Sequence, residues 1–463
     1  KIIAKHGDKI SQGAVDIMGK LDIKPFTIGL IPVAAFDNEA KILYETSGKH
    51  HFFGYHDISP WSEDDKYLLT HEVGFINEPP HKPNLDDSQQ SDVAGICVID
   101  TKTNELQRIA ETQTWNFQQG ARLQWIPRSN KVIYNDLVKD SGWKSIAVIL
   151  DIETKEKVLL DHPVYVVSPS GDFGLGLSFS HKLGGGYSYT NVTGEKFPGI
   201  AKVIFEFQKE ATTFISEEDI INKINEQNPS SLEKTIAVTQ ITFSPNGEKI
   251  CFMYKTCLPD GGFNQRLITA DSNNKNLHIL PGHVTHFCWR NDTEILAYGK
   301  YSPGVMDLRK AGIFRNPFLK PFLNIARKLR GGLKQKIAGQ SYFLLKDKTQ
   351  KVERVAVGVM TEDGHPQFSP DRKWFVTDTY ADKNYERTLI LYDWANKKRI
   401  DVGKFYAVPE GMPVSWVDSE MRSDLHPRWN HNGTQICIDS VHTGSRQMHV
   451  IDVSEIVKNR EHE

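Results

Sequence analysis

The chain has 463 residues, 39% of them apolar and 10% aromatic, with 56 Lys and Arg set against 58 Asp and Glu for a net charge of −2. That composition builds a core, which excludes a disordered polymer, and the charge balance excludes a chain that is basic throughout, hence a general nucleic-acid binder. No apolar run approaches the ~18 residues that span a bilayer, which excludes a multi-span helical membrane protein. The chain opens at Lys1 without an initiator Met, and KIIAKHGDKISQG has none of the regions of a signal peptide, so a removed leader stays open. Residues 1–39 read as an N-terminal extension, and the segment AKILYETS from Ala40 reads as a lone strand.

Self-similarity dominates the rest of the chain. An apolar strand, a turn of the S-P-x-G/D type and a second apolar strand recur seven times, at ISPWSEDDKYLLTHE, LQWIPRSNKVIYND, VSPSGDFGLGLSF, ITFSPNGEKICFMY, FCWRNDTEILAYGK, QFSPDRKWFVTDTY and RWNHNGTQICIDS. The Asn-Gly, Asp-Asp and Asn-Asp turn cores tolerate the positive φ that tight hairpins need. A further strand ending in Asp, a polar turn and a shorter strand follow most hairpins, as in GICVIDTKTNELQRIAE and LILYDWANKKRIDVG. Four antiparallel strands per unit and seven units predict an all-β, seven-bladed β-propeller over residues 40–457. The last unit stops near Val453 with three strands, so AKILYETS is expected to complete its blade and close the ring, which removes two sheet edges.

Two stretches fall outside the repeat. ISEEDIINKINEQNPSSLE, from Ile215, has acids at its start and apolar residues at helical spacing, and reads as a short surface helix. The stretch from Arg309 to Lys336 carries nine Lys or Arg and no acid, interleaved with Phe and Leu. It reads as a basic helical insertion at about 305–340, either packed on the propeller or contacting anionic lipid or a lipid-linked glycan through 309–336. The five cysteines are too scattered for a disulfide framework, and four sit in strand-like apolar runs. The expected location is the cytoplasm, with membrane association through the basic stretch, and the periplasm is the alternative.

The innermost strand of each blade runs along the channel, so equivalent positions on those strands form a ring. Stepping back three residues from the apolar anchors Ile58, Trp125, Val167, Phe243, Trp289, Phe368 and Trp429 gives Tyr55, Arg122, Val164, Gln240, His286, His365 and His426. With 17 His in 463 residues, any one position is His by chance about 4% of the time, so three on consecutive blades is a pattern. Imidazole is a common metal ligand and is poised for proton transfer near neutral pH. Around the ring lie His51, His56 and Asp57 in KHHFFGYHDISPW, His181 and Tyr187 in SHKLGGGYSY, His283 in PGHVTH, Arg422 and Asp424 in MRSDLHPRW, and His442 and Arg446 in SVHTGSRQMHV.

The segments THFCWRNDTEIL, GHPQFSPDRKWFVTD and DLHPRWNHNGTQICIDSVHTGSRQMHVID resemble the repeats of the oligogalacturonate lyase family, seven-bladed propellers related in fold to the TolB propeller. The resemblance runs from about His51 to Val453 and is closest in blades five to seven. It implies a divalent metal, usually manganese, held by the His of an H-x-x-W motif and a cluster around a late H-P motif, while another His abstracts the C5 proton of a uronate. By motif, His286 matches the first ligand and His426 the H-P histidine. Gln240 stands where the family has its base His, and Met421 and Asp424 stand where it has further Gln and His ligands.

The expected function is that of a polysaccharide or oligosaccharide lyase, cleaving an acidic, uronate-containing glycan by β-elimination. A non-catalytic propeller that binds a glycan or protein partner is the alternative. The expected catalytic residues are His365, Gln240, Arg122, Tyr55 and His56, and the substrate-binding residues His181, Tyr187, Arg422, His442 and Arg446. A divalent metal (Mn, Ca or Zn) would be held by His286, His365 and His426. A two-carboxylate glycosidase is disfavoured because no pair of carboxylates falls on the ring.

Overall fold

In a computed structural model, residues 35–36, 40–80, 92–139, 143–179, 199–206, 210–227, 234–259, 262–273, 276–301, 303–310 and 340–458 are described. They form seven antiparallel sheets, each built mainly from four strands consecutive in sequence. Blade one runs through His50–Phe52, Tyr67–Val73, Ala94–Asp100 and Leu106–Thr112, and blade two begins at Gln124–Trp125. The innermost strands of blades three to seven start at Val166, Lys234, His283, Gln367 and Arg428. The chain is thus a seven-bladed β-propeller.

The repeated turn does what its residues foretell. Asp65, Arg128, Gly171, Gly247, Arg372 and Gly433 each take positive φ at the corner joining the first two strands of a blade, the conformation that lets a hairpin twist with its strands. Middle strands are covered on both faces by neighbouring blades. For this reason Ala94–Ile99 is a continuous buried run and not an alternation of apolar and polar residues.

The ring closes through the N-terminus. Lys41–Glu45 pairs antiparallel with Gln447–Asp452 and forms the outer edge of blade seven, next to strands supplied by the end of the chain. Upstream of it, Ala35–Phe36 lies in the stretch expected as an extension, yet it pairs with Gly403–Lys404 as a fifth strand of blade six. Phe36 anchors it edge-on against Phe405, 6.0 Å away.

A helix spans Glu217–Gln227, where the sequence pattern put one, and buries Ile220 and Ile224. Ser216 caps it: its Oγ accepts from the Asp219 N–H at 3.0 Å and donates to the Asp219 carboxylate at 2.6 Å. A second helix, Pro303–Lys310, carries Arg309 and Lys310 in its last turn. The remainder of the basic stretch, from residue 311, lies outside the described residues. No helix among the described residues is long and apolar enough to cross a membrane.

A shared device ties the inner segment of three blades to the blade before it. Asn135, Asp378 and Asp439 each follow their own blade's ring residue (Arg122, His365, His426) by thirteen positions. Each reaches across to the next blade. Asn135 accepts from Val164 N at 2.8 Å, Asp378 from His426 N at 3.2 Å, and Asp439 from Phe53 N and Gly54 N at 3.1 and 3.2 Å. A buried acceptor that takes a buried backbone N–H satisfies two costly groups at once, so the ring positions are held by bonds between blades.

Candidate functional site

Three of the ring residues, Arg122, Gln240 and His426, have left-handed backbone, with φ of 56°, 54° and 42°. Such φ costs a side-chain-bearing residue ~1–2 kcal/mol and persists only where surrounding bonds impose it. In blade five a bulge between Val284 and His286 likewise breaks the strand's alternation at the ring position.

Four imidazoles converge here. The ring centroids of His286 and His365 lie 4.5 Å apart and those of His365 and His426 4.3 Å apart, while His56 stands 5.2 Å from His365 and 6.2 Å from both His286 and His426. Tyr55 packs 4.6 Å from His56 and 5.0 Å from His426. Gln240 donates through Nε2 to the Tyr55 hydroxyl at 2.6 Å. All six side chains are buried. Tyr380, 39% exposed, stands at the outer side, 6.3 Å from His286 and 5.8 Å from His365.

The imidazoles share an orientation rule. His286 Nδ1 meets Asp363 Oδ1 at 2.9 Å, His365 Nδ1 meets Asp378 Oδ1 at 2.8 Å, and His426 Nδ1 meets the Gly54 carbonyl at 2.8 Å. Each acceptor fixes the proton on Nδ1 and leaves Nε2 with the lone pair. His426 Nε2 is buried without a hydrogen-bond partner. His56 is the reverse case: its ring bonds the Pro366 carbonyl, and its Nδ1 is the buried nitrogen without a partner.

Electrostatics separate these groups. Burial, together with the charge of His365, holds the pKa values of His56 and His426 well below the ordinary histidine value, so both are neutral near pH 7. Burial also pushes His365 down, but Asp378 outweighs it by charge and hydrogen bonding and raises it. Asp424 sits beside them. Burial opposes its charge, yet Arg387 at 2.7 Å and Arg422 at 3.0 Å hold it ionised with a pKa of about 2.

A divalent ion fits this donor set. One ligand atom each of His365, Asp424 and His426 lies within 4.8 Å of the others, and His286 stands against His365. Imidazoles whose Nδ1–H is held by carboxylate or carbonyl present Nε2 as metal-ligating histidines do. A set of imidazole nitrogens with one carboxylate suits manganese or zinc better than calcium, which prefers oxygen throughout.

The chain's shape has known counterparts. No family model and no curated protein sequence matches it. Oligogalacturonate lyase from Vibrio parahaemolyticus superposes with a TM-score of 0.56 at 12% identity, covering 92% of this chain and 97% of that one. An oligogalacturonate lyase in complex with manganese superposes with a TM-score of 0.54 at 11% identity, covering 91% of this chain and all of that one. The fold is similar to that of oligogalacturonate lyase. At such identity the likeness of this oligogalacturonate-lyase-like propeller is one of fold alone.

The structure brings His56, His286, His365, His426, Tyr55 and Gln240 to one place and directs the other expected residues elsewhere. Arg122 forms a two-pronged ion pair with Asp57, at 2.9 and 3.0 Å, and stacks on Tyr165, so its charge is already matched. Arg446 is fully buried, donates to the carbonyls of Phe117 and Met421 and lies over the Phe52 ring, which makes it a strut and not a substrate contact. His442 packs between Phe405 and His449 with Nδ1 on Ser440 Oγ, a place in blade packing. Arg422 is bound to Asp424, while its side chain keeps 21% exposure beside the cluster. His181 and Tyr187 lie outside the described residues.

The sequence reading did not single out Asp363, Asp378, Tyr380 or Arg387. Carboxylates do stand beside the cluster, contrary to the reading from ring positions, but Asp363 and Asp378 bind imidazoles and Asp424 binds guanidinium groups. The spacing of thirteen residues shared by Asn135, Asp378 and Asp439 was the signal that could have found Asp378.

Proposed function

We propose that the chain is a lyase that cleaves an acidic, uronate-containing polysaccharide or oligosaccharide by β-elimination at this cluster. The observation that carries the reading is the set of imidazoles with oriented Nδ1 protons, joined by a neutral His56 whose Nδ1 is buried without a partner. The fold shared with oligogalacturonate lyase supports it.

The chemistry divides among the chain's own groups. His56 Nδ1 takes the proton from the uronate carbon alpha to the carboxylate. The electron pair released forms a carbon–carbon double bond as the glycosidic oxygen leaves the adjacent carbon, and Tyr55 returns a proton to that oxygen. The substrate carboxylate has to be neutralised for the first transfer. A divalent ion held by His365, Asp424 and His426, with His286 alongside, would supply positive charge for that carboxylate. Gln240, where the family's base stands, holds the Tyr55 hydroxyl instead, so the base is reassigned to His56. Tyr380 is placed to pack against a sugar at the outer side.

Incubation with a panel of uronate glycans should raise the ultraviolet absorbance of a conjugated unsaturated uronate, with a loss on adding chelator. His56→Ala and His365→Ala should each lower the rate by ~100-fold or more while the ring still folds. No absorbance change with any acidic glycan would leave a non-catalytic glycan- or protein-binding propeller as the function.

A further inference from the structure

Tyr55 and His56 lie within residues 53–57, which follow the strand His50–Phe52 and belong to no strand themselves. No ladder fixes this segment, so side chains from other blades do. Upstream, Asp439 of blade seven takes the N–H groups of Phe53 and Gly54, while Arg428 donates to Asp439 and to the Gly54 carbonyl. Downstream, Gln367 of blade six donates to the His56 carbonyl at 3.4 Å, and Asp57 meets Arg122 of blade two.

Arg122 occupies the ring position that carries His286, His365 and His426 in blades five to seven, yet it serves a different end. Its Nε donates to the Tyr165 carbonyl of blade three at 3.0 Å, and its two terminal nitrogens meet the two oxygens of Asp57 at 2.9 and 3.0 Å. The guanidinium lies over the Tyr165 ring, 3.7 Å from its centroid. One side chain thus joins three blades, and the side chains of its ion pair are 0% and 4% exposed. Its left-handed backbone, with φ of 56°, is the kind of strain that persists where surrounding structure imposes it.

A planar fork on both oxygens of a carboxylate fixes its rotation as well as its distance, which a point charge does not. Asp57 is held in one orientation, and its backbone runs directly into His56. We infer that Arg122 is a positioning residue that acts through Asp57 to set the direction in which His56 presents Nδ1. The His56 ring has a bond of its own, to the Pro366 carbonyl, and packs 4.6 Å from the Tyr55 ring. A single ring bond still permits swinging about it, and the clamp on the neighbouring residue removes that freedom. The catalytic consequence rests on the lyase reading, whereas the orientation of His56 does not.

Arg122→Lys keeps a positive charge beside Asp57 and loses the fork, while Gln124 still donates to the Tyr165 carbonyl at 3.1 Å. Nitrogen NMR of the full chain with labelled histidines, assigned with His56→Gln, should show a bare Nδ1 and a protonated Nε2 for wild-type His56 near neutral pH. In Arg122→Lys and in Asp57→Asn these two signals should move towards a common, averaged shift, with those of His286, His365 and His426 in place. Arg446→Lys loosens a strut of similar burial and should leave His56 as in wild type, which separates positioning from general loosening. On a uronate glycan that wild type cleaves, Arg122→Lys should lower kcat by ~10- to 100-fold and leave KM within about twofold. If wild type cleaves none, the lyase reading fails and the NMR comparison still decides the role of Arg122. Wild-type His56 signals in both Arg122→Lys and Asp57→Asn, the same displacement in Arg446→Lys, or a loss carried wholly by KM overturns the proposal.

Discussion

Gly364 lies one residue before His365, and a Cβ there would be driven into the Asp378 carbonyl oxygen. The same stretch of Asp378 that leaves no room for a side chain supplies the carboxylate that takes the His365 N–H and Nδ1, each at 2.8 Å. Close approach of the two backbones is therefore what sets the imidazole. Gly364→Ala is expected to cost ~3 kcal/mol, the scale of overpacking in a site that cannot give way. Urea unfolding of the two proteins measures it, and equal midpoints would show that the loop relaxes freely. The three ring histidines were readable in the sequence because each stands the same step from a repeated anchor. Their partners were harder to read, since Asp363 and Asp378 lie outside the strand positions that were counted, and only the thirteen-residue spacing shared with Asn135 and Asp439 pointed to Asp378.

Blade number and closure were legible at the scale of elements because the hairpin turn recurs with its own residue chemistry and because the last unit was one strand short. Ala35–Phe36 escaped for the opposite reason: two residues carry no period, and its pairing rests on the contact of Phe36 with Phe405. The basic stretch from Arg309 to Lys336 follows from composition alone, since after Lys310 it lies outside the described residues. We propose that it adheres to anionic surfaces. The chain should co-sediment with vesicles containing anionic lipid, less so as salt is raised, because exposed charges are screened over ~10 Å at 0.1 M. Deletion of residues 311–336 should abolish the association, and equal sedimentation of the deleted protein would assign the seven cations it removes to packing on the propeller.

Across the whole molecule, the histidines outside the channel make the ring sensitive to acid. Burial lowers the pKa values of His71, His283 and His442 to about 4 each. His71 is tied in place by the Ala121 N–H on Nε2 at 3.0 Å and cannot take a second proton without losing that bond. Between pH 6.5 and 4 the unfolded chain binds protons at these positions and the folded ring does not. Their stabilisation is therefore complete above pH 6.5 and is lost as the pH falls towards 4, by about 3 kcal/mol for each group. His365 has the opposite sign, since Asp378 raises it against burial and its contribution is lost as the pH rises. One raised histidine against these three, with His50, His56, His426 and His449 lowered as well, leaves a net loss in acid. Urea midpoints should fall steeply from pH 6.5 to 4.5. In His442→Phe, which keeps a ring against Phe405 and His449, the slope should flatten by about one proton, ~1.4 kcal/mol per pH unit. A wild-type midpoint flat over that range, or a His442→Phe slope equal to wild type, would show that these imidazoles reach solvent before the ring unfolds.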